Sequence, residues 1–452
     1  MAFFAQHRRA TLGFPSRWKH GLCAVALGLM LCRSPARALD LDGNDGLNTE
    51  TIAGRQELRD WDNAKKYGAE PVGTRDRRAL KPDGLRTDDY LIFPTVGALV
   101  IFDDNILAHD IEKVADIRTE LAPSVKLQSQ FARHGLDFSL DGKIVNYLEH
   151  SEQDYANVRA KVDGVLHFDN ANTLALAALT SFEHEERDDP SYPLNARGPV
   201  PVFHNRAAVG ITHDVGRLYG TISAAAESWS YSDVEAVNGS LLDETGRDAA
   251  TFSNQVKAAY RISPGFELVG KLRGSRTENR GDARIDRDAW GFEALAGLAF
   301  EANPLLRWRI LGGYGVRDFD QANLANISTT LLEADVQWLP TQRLSIYAIV
   351  AREILETADL TSTGVVQSSL KVRAEFELFH DLVLTAQAQI RVDEYSGLNR
   401  SDQIWDAGVG LDYYLTKNWL FTFGVEHQVR DSTSDSLDMH RNKVMIGAKL
   451  RF

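Results

Sequence analysis

Apolar and polar residues alternate with a period of two from Tyr90 to the end of the chain, in segments of about ten to fifteen residues separated by turn residues. This period is typical of β-strands with one apolar and one polar face. The last segment shows the alternation most clearly. One of its faces carries Val444, Ile446, Ala448, Leu450 and Phe452, and the other carries Lys443, Met445, Gly447, Lys449 and Arg451.

Either a soluble sandwich or a membrane barrel could use such strands, and the connections favour the barrel. Every second connection is very short, as at Gly216-Arg217 and Pro264-Gly265, and most of the others are longer, as at 103–115 and 235–248. Short periplasmic turns alternating with longer outer loops are typical of outer-membrane barrels. The pattern therefore predicts an all-β fold, an antiparallel transmembrane outer-membrane β-barrel.

The segments number eighteen, with sixteen as the alternative if a hairpin near 203–248 belongs to a loop. We expect the strands to start at positions 90, 116, 136, 156, 173, 203, 218, 249, 266, 289, 306, 328, 344, 365, 382, 401, 419 and 439. Aromatic residues near the segment ends predict two interfacial girdles. The girdle near the short turns would contain Tyr260, Phe266, Phe300, Trp308, Trp338, Tyr413, Trp419 and Phe452. The girdle near the long loops would contain Trp229, Tyr231, Trp290, Tyr395 and Trp405.

Residues 1–38 resemble a secretory signal peptide. A basic start with Arg8 and Arg9 precedes an apolar core at 21–32, and Ala36-Arg37-Ala38 supplies the small residues of a cleavage site. A lipoprotein would use Cys32, but the residue before it is the large Leu31. Cleavage would remove six basic residues, no acidic one and both cysteines, so the formal net charge would change from −13 to −19. A cysteine-free acidic chain has no disulfides and is a poor partner for nucleic acid.

Residues 39–89 form a polar stretch ahead of the predicted barrel at 90–452. The stretch contains a small basic run at Arg75, Arg77 and Arg78. One interpretation is a periplasmic leader without a fixed fold. The other is a segment that plugs the lumen or binds a partner.

The residues carry no catalytic signature, so we expect no enzyme, no cofactor and no metal. None of the histidines forms a zinc-binding spacing, and the chain has no Gly-x-Ser-x-Gly elbow. A barrel hydrolase with a Ser–His pair on adjacent strands would leave no local motif, and it remains a minor alternative.

The predicted lumen wall carries charges of both signs. A basic track is one hypothesis for it, with the members Lys257, Arg261, Lys271, Arg273, Arg307, Arg309, Arg317, Lys371, Arg373, Arg391, Arg430, Lys443, Lys449 and Arg451. The same face carries the acids Glu293, Glu333, Asp335, Glu375, Glu377, Asp393, Asp406, Asp412 and Glu426. The alternative is a wall of mutually paired charges. A track would guide an acidic polymer, whereas paired charges would only fill and hydrate an 18-stranded lumen.

One short motif points to a family. Phe93-Pro94-Thr95, followed by Phe102-Asp103-Asp104-Asn105-Ile106, resembles the opening strand of the putative β-barrel porin 2 family. The resemblance implies an outer-membrane barrel, often associated with exopolysaccharide or capsule export, without catalytic residues. Asp103, Asp104 and Asn105 fit a local turn, because such side chains bond to their own backbone, with a cation site as the alternative. The final Phe452 is similar to the C-terminal assembly signal of such barrels.

The leading functional hypothesis is therefore an exit conduit for a secreted polysaccharide. A passive diffusion porin for small solutes is the second, and an inward-folding loop at 188–202 or 235–248 would favour it. A non-conducting structural or adhesive barrel is the third. We expect an integral protein of the bacterial outer membrane. Its expected partners are membrane lipid, lipopolysaccharide, the outer-membrane assembly machinery, the polysaccharide itself and a periplasmic export component.

Overall fold

The computed structural model is a closed antiparallel β-barrel of eighteen strands. It describes residues 71–73, 75, 77, 79–189, 192–281, 286–303, 305–355, 357 and 362–452. The predicted signal peptide and the leader up to residue 70 lie outside the described residues. No helix in the described ranges is long and apolar enough to cross a membrane.

The first nine barrel strands are β1 Tyr90–Asp103, β2 Asp116–Ser129, β3 Gly135–Tyr147, β4 Tyr155–His167, β5 Asn172–His184, β6 Pro201–Val215, β7 Leu218–Tyr231, β8 Ala249–Ser263 and β9 Phe266–Asn279. The other nine are β10 Ala289–Asn303, β11 Leu306–Phe319, β12 Ile327–Thr341, β13 Leu344–Leu355, β14 Gly364–Phe379, β15 Leu382–Ser396, β16 Arg400–Tyr414, β17 Trp419–Ser432 and β18 Met439–Arg451. Every predicted start lies within two residues of the observed one. The sixteen-strand alternative is wrong, because β6 and β7 form a full hairpin.

Each strand pairs with the next along the chain, and β1 pairs with β18 to close the barrel. The closing register runs from Thr95 opposite Arg451 to Asp103 opposite Lys443. Closure leaves no barrel edge unpaired, which a sheet surrounded by lipid requires because lipid offers no hydrogen-bond partners.

Large apolar side chains form the outer surface of the barrel. Ile222 is 66% exposed and Ile446 is 62% exposed, which suits lipid rather than water. The girdle predicted near the short turns lies on this face. Phe266, Phe300 and Trp308 contact one another there, with the Phe300 and Trp308 ring centroids 5.6 Å apart.

The girdle predicted near the long loops is wrong for three of its five members. Trp290 and Trp405 do face outward, with 62% and 46% exposure. Trp229 instead stacks on buried His204 on the inner face, with ring centroids 3.7 Å apart. Tyr231 lies under the Arg247 guanidinium, and Tyr395 is 5% exposed beneath Arg400. These three aromatic side chains pack against cationic or imidazole groups, so they do not line the lipid.

The outer connections vary more in length than the sequence suggested. The connection at 397–399 between β15 and β16 is as short as several periplasmic turns. The connection at 232–248 is long enough to form its own two-stranded hairpin, with Val234–Glu235 paired to Leu241–Leu242. Its Ala236 also forms an antiparallel β-bridge with Ala196, which lies in the connection at 185–200.

Part of the inner wall is apolar yet buried. Ala259, Val269, Leu295, Leu311 and Leu331 cluster there on five successive strands. The Nζ atom of Lys271 on β9 bonds to Glu333 on β12, and the register places Leu295 between these two positions. The aliphatic stem of such a long side chain can cover apolar wall while its charge stays paired.

Candidate functional site

Acidic and basic side chains face each other along the lumen wall. The fourteen residues of the hypothetical basic track lie on the inner strand faces, opposite the lipid-facing side chains. Among the described residues, at least eight of them form ion pairs: Arg261–Asp214, Lys271–Glu333, Arg273–Glu293, Arg307–Glu301, Arg309–Asp335, Arg373–Glu375, Arg391–Asp393 and Lys443–Glu426. Arg430 and Arg451 donate to backbone carbonyls instead, and Lys257, Arg317, Lys371 and Lys449 complete the set. The basic track itself stays a prediction.

The connection between β5 and β6, residues 185–200, folds into the outer mouth; we call it the inward loop. Its Asp188 is 4% exposed. The Asp188 backbone oxygen accepts a hydrogen bond of 3.1 Å from Arg430 on β17, and its carboxylate lies 3.6 Å from Arg441 on β18. These strands lie five or more strand positions away from β5, so the loop crosses part of the lumen.

Further contacts hold the same loop against the wall. The Glu186 carboxylate lies 3.9 Å from Arg118 and 3.6 Å from Lys143. Burial would raise the pKa of Glu186, but Lys143 and Arg118 outweigh it and hold that pKa well below its usual range. Arg187 donates to Gln153 Oε1 and to the Ala196 carbonyl, and burial lowers the pKa of its guanidinium.

A second loop braces the first. Arg247, from the connection at 232–248, pairs with both Glu185 and Glu244. Burial raises the pKa of Glu185 to about 7, although Arg247 opposes the shift. Tyr192, Ala196 and Val200 form a buried apolar cluster beside Tyr231, Val234 and Leu242. The inward loop is thus fixed on two sides rather than hanging free.

The family-like motif fastens the closing strands. Asp103 accepts Arg441 Nε at 3.0 Å and Nη2 at 2.6 Å, and its Oδ1 also accepts the Asn105 backbone N–H. The Asn105 amide donates to the His440 carbonyl at 2.9 Å, and Asp104 accepts Asn442 at 2.6 Å. The local turn is present as predicted. The contacts with β18 were missed, because they join residues 335 or 338 positions apart.

The cation site considered at this motif is not supported. The Arg441 guanidinium takes both oxygens of Asp103. Throughout the described parts of the chain, no group of three histidine, cysteine or acidic side chains could hold a metal ion. Arg441 was absent from the predicted track, although it shares the face of Lys443 and Arg451 and strand alternation could have found it.

At the periplasmic mouth, a segment that we call the entry strap lies on the inner wall; it comprises residues 71–73, 75, 77 and 79–86. The Val72 and Gly73 N–H groups donate to Ser345 Oγ and Glu375 Oε2, both at 2.8 Å. Arg75 pairs with Glu377 at 2.5 Å, and Arg77 lies 3.4 Å from the same carboxylate. Arg78 lies outside the described residues.

The end of the strap joins the barrel wall. Leu85–Arg86 pairs with Leu91 and Ile92 of β1, and the Leu80 carbonyl accepts Arg451. Gly84 has a φ of +71°, and a Cβ there would come within 2.8 Å of the Phe93 ring. Only glycine suits this turn, so Phe93 of the motif helps to fix the path of the strap.

Residues 78–452 match the family described as putative beta-barrel porin 2. The chain belongs to this family. It is also 26% identical over 244 residues to the outer membrane protein MtrB of Shewanella baltica, a match that covers 46% of this chain and 34% of that protein. The chain thus spans about a third of the length of this relative.

Two solved Pseudomonas aeruginosa structures are also similar to this porin-family barrel. The outer membrane protein OpdK is 12% identical, with 80% of this chain and 99% of OpdK covered and a TM-score of 0.40. OccK2 in complex with glucuronate is 11% identical, with 82% and 100% covered and a TM-score of 0.45. The family membership makes the protein an integral outer-membrane, porin-like barrel.

Proposed function

We propose that the protein is a diffusion channel that admits small polar solutes through the outer membrane. The observation that carries this proposal is the inward loop, which reaches Arg430 and Arg441 from β5 and narrows the outer mouth. The entry strap narrows the periplasmic mouth in the same way. A path constricted at both ends suits small solutes that pass one at a time.

The exit conduit for polysaccharide is the weaker candidate. An acidic polymer needs cations that are available to it, and at least eight of the fourteen residues in the hypothetical basic track already hold an acidic partner. The export function rests on the family resemblance alone, and it stays a prediction, as do the polysaccharide and the periplasmic export component as partners.

The test is conductance of the full-length chain in planar bilayers, with polyethylene glycols of increasing size as pore probes. We expect discrete channels that the small glycols enter and the large ones do not. A double variant with Glu186→Gln and Asp188→Asn should admit larger glycols, because it removes carboxylates that hold the loop to the wall. A chain that folds but never conducts would contradict the proposal and favour the structural barrel.

Deletion of the gene separates uptake from export. Uptake predicts unchanged polysaccharide at the cell surface and slower entry of small polar solutes. Loss of surface polysaccharide with accumulation in the periplasm would overturn the proposal in favour of the exit conduit.

A further inference from the structure

Beneath the inward loop, two strands and the loop bring unpaired oxygen atoms to one part of the lumen. Asp406 on β16 lies directly opposite Gln428 on β17, and Glu426 lies two residues before Gln428 on the same strand. The charged groups that act most strongly on Asp406 are Asp188 of the loop, Arg391, Glu426 and Lys443. We call Asp188, Asp406, Glu426 and Gln428 the acceptor cluster.

These acceptors lack donors. Within the described residues, neither oxygen of Asp406 has a hydrogen-bond partner, and the same holds for Glu426 Oε2, Gln428 Oε1 and Asp188 Oδ2. Gln428 and Asp188 are each 4% exposed, and Glu426 is 6% exposed. A buried acceptor without a donor costs about 1–3 kcal/mol, and more when it is charged. A group that supplies N–H donors would remove this cost.

The nearby cations do not supply those donors. Arg391 lies 2.9 Å from Asp393, and Lys443 lies 3.4 Å from the other oxygen of Glu426. Arg430 donates to backbone carbonyls. Arg441 donates to Asp103, and its Nη1 lies 3.6 Å from Asp188 Oδ1, which is beyond hydrogen-bond distance. Asp406 is the one member of the cluster that is half-buried as a whole residue, although both of its carboxylate oxygens are buried.

We propose that the acceptor cluster is a binding subsite for a solute that carries a guanidinium or primary ammonium group. No three acidic side chains in the described ranges are arranged to hold a metal ion, which argues against one small inorganic ion as the shared partner. A guanidinium presents five N–H donors over several ångströms and can reach carboxylates on different strands. The subsite rests on the proposed function, because it names the class of solute that the channel favours.

The test is binding of agmatine, which has a guanidinium at one end and an ammonium at the other. Isothermal titration would use the full-length protein in detergent, and it does not depend on conduction. We expect Asp406→Asn to weaken binding roughly tenfold, the loss of a hydrogen bond to a charged group. Asp412→Asn is the matched control, because Asp412 lies on the same face of β16 and already accepts Thr422 Oγ at 2.6 Å. It should leave the affinity unchanged.

A second variant, Gln428→Met, keeps the side-chain volume and removes one neutral acceptor, so it should weaken agmatine binding severalfold. No binding by the wild type, or equal affinities in all four proteins, would overturn the subsite. Competition by Ca²⁺ that Asp406→Asn abolishes would overturn it in favour of a metal site. Agmatine binding by a chain that never conducts would leave the subsite standing and refute the channel, whereas conduction without binding would refute the subsite alone.

Discussion

At the scale of single residues, the ion pair between Asp103 and Arg441 joins the first strand of the barrel to the last. Arg441 is 1% exposed, and Asp103 is fully buried. Removing one partner of a buried pair leaves the other charge without compensation, which costs about 3–5 kcal/mol. The motif that marks the family therefore acts on barrel closure rather than on solute chemistry.

We expect Arg441→Met to lower the free energy of unfolding by about 3 kcal/mol or more, measured by urea titration of the folded barrel in detergent. Arg197→Met is the control, because Arg197 and Glu235 form a pair more than half exposed on both sides, which contributes less than about 1 kcal/mol. The double variant with Asp103→Asn should recover part of the loss. Equal urea unfolding midpoints for Arg441→Met and the wild type would contradict the role of the Asp103–Arg441 pair in barrel closure.

The inward loop carries a titratable group of its own. Burial raises the pKa of Glu185 to about 7 from an ordinary value of 4.5, so the folded loop binds the proton more tightly than the unfolded chain. The contribution of Glu185 to loop stability is therefore complete below pH 4.5. It falls as the pH rises towards 7 and changes little above that.

Amide hydrogen exchange of residues 185–189 and 192–200 checks this pH dependence. After correction for intrinsic exchange rates, the loop should be better protected at pH 5 than at pH 8. Glu185→Gln should remove most of the difference, because glutamine does not titrate. A difference that persists in Glu185→Gln would assign the effect to another group.

At the scale of strands, the sequence predicted the barrel well because lipid imposes a strict alternation. The alternation required Ile222 and Ile446 to point outward, as they do. It also predicted each strand start to within two residues of the observed one. The same rule failed at the outer strand ends, where Trp229 stacks on His204 and Tyr395 packs under Arg400 instead of facing lipid. The inward loop could not be placed either, because Asp188 and Arg430 are 242 residues apart and no local pattern links them.

Fluorescence quenching by brominated lipids separates the two kinds of aromatic residue. In variants that keep a single tryptophan, Trp290 and Trp405 should be strongly quenched because they face the lipid. Trp229 should be quenched little, because it stacks on His204 on the inner face. Strong quenching of Trp229 would mean that β7 is displaced by one residue, since such a shift reverses every side chain on a strand.

At the scale of the whole molecule, the inward loop and the entry strap lie at opposite mouths of one lumen, so an ion must pass both. Their resistances are in series and add. Arg75→Ser with Arg77→Ser should loosen the strap by removing its ion pairs with Glu377. Glu186→Gln with Asp188→Asn should loosen the loop by removing its ion pairs with Arg118 and Arg441. Each release lowers the total resistance by a fixed amount, and conductance is the reciprocal of that total.

The conductance gained by releasing both mouths should therefore exceed the sum of the two separate gains. Single-channel recording in 1 M KCl measures this, because salt at that concentration reduces the Debye length to about 3 Å and suppresses the effect of the charges removed. Arg86→Ser is the control for the strap, because Arg86 is exposed and follows the segment bonded to Glu377. A conductance gain from the variant of only one mouth would place the whole constriction at that mouth. A combined gain equal to the sum of the two separate gains would indicate separate paths through the barrel.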